Sequence, residues 1–405
     1  MDAWQPTTLP LGRRAEIETT VIDDPRDAEP IREQWDELAV QAGRPYCSPA
    51  WMLAWWAHAR TGDARLRTIV VTELGQVLAV APFFAQVGRF GLVEYRLLGA
   101  GHSHRIGVLC RAGYEQHVEG PLGEAMRALD PRPSSIVWEG IDGNDRWPVR
   151  TAPRLGGRAG VKLRRDAEMG NATIRLAGMT FEDWLGDTSA KFRQGLRRDR
   201  RKLAHAGGLI RRSHTEDELG RDLDAFARLH NARWAKRGGS GFFDERMMAM
   251  LREAGGRLLP ADRLRLYVVE LDRRPIAAAL NVAAGGVVAG WATGMDDAYG
   301  RLSPTRLAIL SAVEEAFDRG EISFDFGGGS SVYKERFANH SEPVVWVTQF
   351  PREWSYPLVR AQLMPKYARH GLRELARRLP PERQQQLKRL LRPGANVLRP
   401  SADRT

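Results

Sequence analysis

The residues best suited to chemistry lie in FDFGGGSSVYKERF at 324–337. Asp325 stands between Phe324 and Phe326 on a short predicted strand, and alternation sends it to the face opposite both rings. It should therefore point to a cleft or pair with a cation such as Lys334 or Arg336. A positioned carboxylate can take the proton from an attacking amine, directly or through water. Tyr333 can protonate or hydrogen-bond a leaving group, and Lys334 can hold a phosphate or stabilise an oxyanion. A structural Asp–Lys pair under a glycine-rich turn is the competing reading of these residues.

A second constellation is SPTRL at 303–307, which opens a predicted helix. A helix start exposes unbonded N–H groups and partial positive charge, so it can receive an anion. Ser303 and Thr305 add hydroxyls, Pro304 presets the first turn, and Arg306 adds a guanidinium, with Arg301 just upstream. Ser303 as a plain N-cap is the simpler alternative. Arg233 and Trp234 follow His230 on a helix, and Trp291 sits in AGWATG on a strand. Together they can wall an acceptor slot, or simply pack a core. KFRQGLRRDRRK at 191–202 crowds seven cations around Asp199, with Phe192, Leu196 and Leu203 as a narrow apolar stripe. Such a helix can grip a nucleotide, a tRNA end or an anionic lipid surface, or be a solvated face. His102 and His104, two apart in a glycine-rich loop with no nearby cysteine or carboxylate, make a poor zinc site. No metal is expected, and the loop should border a cleft.

Those residues need elements to hold them. RLRTIVVTELGQVLAVAPFFA at 65–85 and RLRLYVVELDRRPIAAALNVA at 263–283 both read as hairpins, offset by 198 residues. Amphipathic helices follow at 114–129 and 303–319, each before a short apolar strand at 134–141 and 322–328. Helical material precedes each hairpin, at 30–41 and 48–60 in the first half and at 216–236 in the second. The repeated order predicts a duplicated α/β unit, with a boundary in RAGVKLRRDAEMGN near 158–171 and a basic helical tail after Pro351.

The chain has 405 residues, 43% of them apolar, which excludes a disordered tail, a fibrous repeat and a disulfide-stapled miniprotein. Only Cys47 and Cys110 are present, suggesting a reducing compartment, and no window suits a membrane span. The start, polar and acidic, is unlike a secretory leader, so a cytoplasmic location is expected. The net charge of +11 raises nucleic acid, an anionic membrane or a phosphate-bearing cofactor as partners, but a composition in which Arg replaces Lys throughout explains it equally well, so overall charge does not decide function.

Residues 190–350 resemble the GNAT-fold acyltransferases, specifically the CelD-like, cellulose-biosynthesis-type acetyltransferases. The resemblance is carried by KFRQGLRRDRRKL, HNARWAKRG, YGRLSPTRLAILSAVEEAFDRG and FDFGGGSSVYKERF. It extends more weakly over 30–165 through RPYCSPAWMLAWWAHA and YRLLGAGHSHR, and tandem GNAT halves also characterise the Fem-type aminoacyl transferases. The resemblance implies an α/β (α+β) fold of tandem GNAT-like domains, each a mixed, mainly antiparallel sheet flanked by helices. Residues 1–165 would form a degenerate, scaffold or acceptor-recognition domain, 166–350 the acyltransferase domain, and 351–405 the tail. It implies an enzyme that moves an acetyl or longer acyl group from acyl-coenzyme A to an amine or hydroxyl of a small molecule or sugar. Asp325, Tyr333 and Lys334 would be catalytic, with Lys334 matching the functional lysine of the Fem enzymes. Arg301, Ser303, Thr305 and Arg306 would bind the donor, and Arg233, Trp234 and Trp291 the acceptor. The family's glycine-rich pyrophosphate loop is replaced here by Gly300-Arg301-Leu302-Ser303-Pro304-Thr305. That leaves open aminoacyl-tRNA as donor, and a non-catalytic binding role. DNA is not an expected partner; the basic segments leave open a weak anionic membrane contact beside a docked helix or a solvated face.

Overall fold

The computed structural model describes residues 17–235, 242–329, 332–353 and 355–361. Met1–Arg352 form one compact unit and Glu353–Thr405 another. Of the latter, residues 356–361 are helical, and the expected basic helix beyond lies outside the described residues.

The first half of the chain contains β1 (Ile17–Ile22), α1 (Arg32–Gln41), α2 (Pro49–His58), β2 (Arg65–Glu73), β3 (Gln76–Val87), β4 (Val93–Leu97) and β5 (Leu109–Cys110). It continues with α3 (Glu115–Ala128), β6 (Ser135–Asp142), α4 (Trp147–Arg150), α5 (Ala152–Gly156) and β7 (Val161–Arg175). The second half begins with α6 (Phe181–Asp187), α7 (Ala190–His205), β8 (Leu209–Arg212), α8 (Glu216–Ala235), α9 (Glu245–Leu258), β9 (Leu264–Leu271) and β10 (Arg274–Ala284). It ends with β11 (Val287–Met295), α10 (Pro304–Asp318), β12 (Ser323–Gly328), α11 (Val332–Phe337) and β13 (His340–Pro351).

Local chemistry sets many of these boundaries. Ser48 accepts the Trp51 N–H and is followed by Pro49, which starts α2. Thr180 and Asp183 form a capping box on α6, and Ser189 caps α7 through the Phe192 N–H. The two hairpins expected at an offset of 198 are present. Their two-residue turns, Leu74-Gly75 and Asp272-Arg273, have both residues at positive φ, the twist that closes a tight hairpin.

Twelve strands lie in the order β1-β2-β3-β4-β6-β13-β7-β12-β11-β10-β9-β8, with β5 paired separately to β3. The order reads alike from both ends. β1 and β8 are edges, β2–β3 and β9–β10 are hairpins, and β4∥β6 and β11∥β12 are the parallel pairs. The innermost strands are exchanged. β7 follows the first half in sequence yet pairs with β12, while β13 ends the second half yet pairs with β6. β7 and β13 also pair with each other from Val161↔Pro351 to Thr173↔His340, sealing a continuous sheet. The segment read as a boundary is therefore mostly strand.

Alternation along the hairpin strands divides the core by face. On β10, Ala278, Leu280 and Val282 join a cluster with α8 and α9, whereas Ala277, Ala279 and Ala283 join one with α7 and α10. No described helix is long and apolar enough to cross a membrane.

Candidate active site

β11 and β12 pair only from Val287↔Ser323 to Ala289↔Asp325 and then diverge. Where they part, β11 bulges: Leu280 faces Ala292 and Asn281 faces Gly290, so Trp291 is the extra residue. A cavity of about 190 Å³ opens there, lined by Tyr46, the 101–105 loop, Phe242, Gly290, Trp291, the end of β12 and Lys334. A smaller one of about 100 Å³ continues beside it under Tyr333, sharing Gly290, Trp291, Phe326 and Lys334.

Asp325 is 4% exposed. Its Oδ1 accepts the Gly327 N–H at 2.7 Å, and its Oδ2 lies 3.4 Å from Nη1 of Arg105. The cation on Asp325 is thus Arg105 of the first half, not Lys334 or Arg336. Arg105 also meets Asp142 at 2.6 Å and Glu342 at 3.0 Å, and sits at φ 57, a left-handed conformation costly for a side chain of this size. Its N–H donates to Gly140 O at 2.5 Å, which pins the loop to β6.

Lys334 turns its ammonium onto the carbonyls of Gly327 and Gly328, both at 2.9 Å. Burial pulls its pKa below the ordinary lysine value, and the Asp325 carboxylate partly restores it. Both groups therefore line one cavity. Gly328 fits because it lacks a side chain: a Cβ would stand 2.3 Å from Met169 Cε and 3.0 Å from the His104 ring.

His104 is the residue that spacing alone missed as a candidate base. It lines the cavity, its Nδ1 is buried without a partner among the described residues, and burial holds its pKa below 6.5. The ring is therefore neutral at pH 7 and can accept a proton. Its neighbour His102 accepts the Trp55 indole N–H at 3.0 Å and offers its carbonyl to Trp291 Nε1 at 2.8 Å. The loop borders a cleft as the glycines suggested. Among the described residues no group of three His, Cys, Asp or Glu side chains could hold a metal ion.

Tyr333 lines the smaller cavity, and burial raises its phenol pKa while Arg233 opposes the rise. Arg233 is half-buried on α8, with Nε unpartnered among the described residues. Trp291 packs tilted against Phe242 at 5.3 Å and meets Trp51 edge-on at 5.4 Å, so it serves both slot and core. Trp234 is 38% exposed, 6.1 Å from the His230 ring, and is not among the described residues lining either cavity.

Of the four donor candidates, Ser303 is the N-cap of α10 by position, but at φ 52 its side chain makes no capping bond. The Thr305 hydroxyl is buried with no partner among the described residues, and Arg301 is exposed. Arg306 is bound to Asp199, the acid of the basic α7, which is 1% exposed.

Residues 190–335 match the acetyltransferase (GNAT) domain family. The matched segment runs from α7 to α11 and spans the divergence of β11 and β12 and all ten site candidates. The chain is similar in fold to FemX, with a TM-score of 0.61 at 12% identity over 85% of this chain and 99% of that one. It is also similar to the C-terminal DUF2156 domain of a protein described as a lysylphosphatidylglycerol synthetase from Agrobacterium fabrum. There the TM-score is 0.51 at 12% identity, over 84% of this chain and 97% of that one. No curated protein matches the chain.

Proposed function

We propose that the protein transfers an acetyl or longer acyl group from acyl-coenzyme A to an amine or hydroxyl of a small-molecule or sugar acceptor. The observation that carries this reading is the presence of Asp325 and Lys334 on one cavity at the strand divergence of a GNAT domain. The acceptor enters beside the 101–105 loop, and the thioester lies between β11 and β12. As the acceptor nitrogen or oxygen bonds to the acyl carbon, its proton passes to Asp325, or to neutral His104, directly or through water. Lys334 stabilises the developing oxyanion. The carbon–sulfur bond then breaks, and Tyr333, which keeps its proton because burial raises its pKa, protonates the departing thiolate. Trp291 and Arg233 wall the acceptor. The CelD-like resemblance makes a sugar the first acceptor to try. Residues 1–165 act as the recognition half, contributing Arg105 and the loop, while 166–350 supply the chemistry.

A second reading, a Fem-type transfer of an aminoacyl group from charged tRNA, is favoured by a large cation-lined cleft beside the site. A thermal-shift panel of acetyl-coenzyme A, longer acyl-coenzyme A species, coenzyme A and aminoacyl-tRNA separates them. A ligand at a hundredfold excess over its Kd adds about 2.7 kcal/mol of stability. Acyl-coenzyme A should give the largest shift; silence from every coenzyme A species alongside stabilisation by charged tRNA would establish the second reading instead.

A further inference from the structure

A further cleft, of about 260 Å³, adjoins the main cavity and is not used by the transfer chemistry above. Its walls come from the turn before α2 (Arg44), the 101–105 loop (Arg105), the turn after β6 (Asp142, Asn144 and Asp145) and the start of β13 (Glu342). Arg105 lines both spaces, and Gly43 of the cavity is followed by Arg44 of the cleft, so the two meet at these residues.

The charged groups of the cleft form a row of alternating sign. Asp145 meets Arg44 at 3.4 Å, and Arg44 meets one oxygen of Asp142 at 3.0 Å. Arg105 meets the other oxygen of Asp142 at 2.6 Å and Glu342 at 3.0 Å. Two glycines make the close packing possible: a Cβ on Gly107 would stand 2.5 Å from Nη1 of Arg44, and one on Gly143 2.5 Å from Cγ of Pro343. Every ion in the row thus has an opposite partner, and this decides the ligand. An anion would meet three carboxylates against two guanidiniums, and a cation would have to part a guanidinium from its acid. A neutral hydroxyl needs neither, because it donates to a carboxylate and accepts from the neighbouring guanidinium at once, both charge-assisted bonds. A row of alternating charges therefore suits a row of hydroxyls. The cleft has the volume of roughly nine waters at about 30 Å³ each, enough for one sugar ring.

The main cavity suits a neighbouring ring. Tyr46 donates its hydroxyl to the Ala289 carbonyl at 3.1 Å, and Trp291 its indole N–H to the His102 carbonyl at 2.8 Å, so both offer the cavity ring surface rather than a donor. His104, Arg105 and Asp325 line the same cavity with polar groups. A pyranose is divided in the same way, with C–H bonds on its faces and hydroxyls at its rim, and the negative face of an aromatic ring attracts those C–H bonds.

We propose that the cleft is a carbohydrate subsite and that the acceptor is a neutral oligosaccharide, with one unit beside Asp325 in the cavity and the next on the row from Arg44 to Glu342. The acceptor role rests on the transfer reading above; saccharide binding does not.

The test is calorimetry on the full-length protein, comparing glucose with cellobiose and maltose, and N-acetylglucosamine with N,N′-diacetylchitobiose. Two variants accompany it. Glu342→Gln removes the charge at one end of the row and leaves Arg105 with Asp142 and Asp325. Asn144→Trp fills the cleft from an exposed position. At least one disaccharide should bind about tenfold more tightly than its monosaccharide, the gain that one charge-assisted hydrogen bond supplies, and each variant should erase that gain. Should Glu342→Gln unfold, Asn144→Trp alone decides. Binding of no disaccharide, binding no tighter than that of the single sugar, or a preference that survives Asn144→Trp overturns the proposal. If binding behaves as stated but no acyl-coenzyme A is consumed in the presence of the bound disaccharide, the transfer reading fails and the subsite stands. If transfer proceeds with the same KM for monosaccharide and disaccharide, the subsite alone fails.

Discussion

Asp325 is held by an N–H two residues away and a guanidinium 220 residues away, and these partners set what its removal should do. Asp325→Asn keeps the shape and deletes the charge. Arg105 retains Asp142 and Glu342, so no cation is orphaned. Transfer should fall about 10²–10⁴-fold with little change in Tm; a non-catalytic binding protein would be indifferent. Lys334 calls for a pH measurement. Its pKa lies below the ordinary lysine value of 10.5, so the oxyanion-stabilising cation is lost as pH rises through that lowered value. The rate should show an alkaline decline that Lys334→Arg moves upward, because a guanidinium stays charged. A decline unmoved by Lys334→Arg would remove Lys334 from the chemistry. Asp325 and Lys334 were legible in sequence because aromatic alternation and a glycine run mark such a site locally. Arg105 and His104 were not, since nothing local in GAGHSHR says which strand end it will face.

At the scale of elements, the hairpins, the α3 and α10 helices and the strands after them were readable, because each carries its own periodicity and turn chemistry. The exchange of β7 and β13 was not. β7 is charged and mostly solvent-facing over its first half, a pattern shared with linkers, and only its pairing distinguishes it. Packing of α7 on α10 was equally hidden, since Asp199 looks like one acid lost in a basic run. It is instead the group that joins the two helices. Removing it leaves Arg306 partly buried beside Arg198 and Arg336. Asp199→Ala should cost about 3 kcal/mol in urea unfolding, in line with a broken buried pair. Asp199→Ala/Arg306→Leu should recover most of that, because the stranded charge goes too. A double variant as unstable as the single one would mean that the pair adds nothing beyond the packing of α7.

For the molecule as a whole, the continuous sheet makes the cavity part of the fold it stands in, so the site and global stability should titrate together. His102 and His104 on the loop and His230 on α8 all have pKa values lowered from 6.5, in each case chiefly by burial. Above pH 6.5 they are neutral whether folded or unfolded and contribute no pH dependence. Between 6.5 and their lowered folded values the unfolded chain binds protons that the native state refuses, so stability must fall as pH falls through that window. Trp55 adds a structural reason at His102: its indole N–H donates to Nδ1, and protonating that nitrogen breaks the bond. Tm measured from pH 7.5 to 5 should hold steady and then decline below about 6.5. His104→Gln should make the decline shallower, since one of the three refused protons no longer exists. An unchanged slope in that variant would mean that His104 titrates in the native state as freely as in water, and it could not then be the buried neutral base at the cavity.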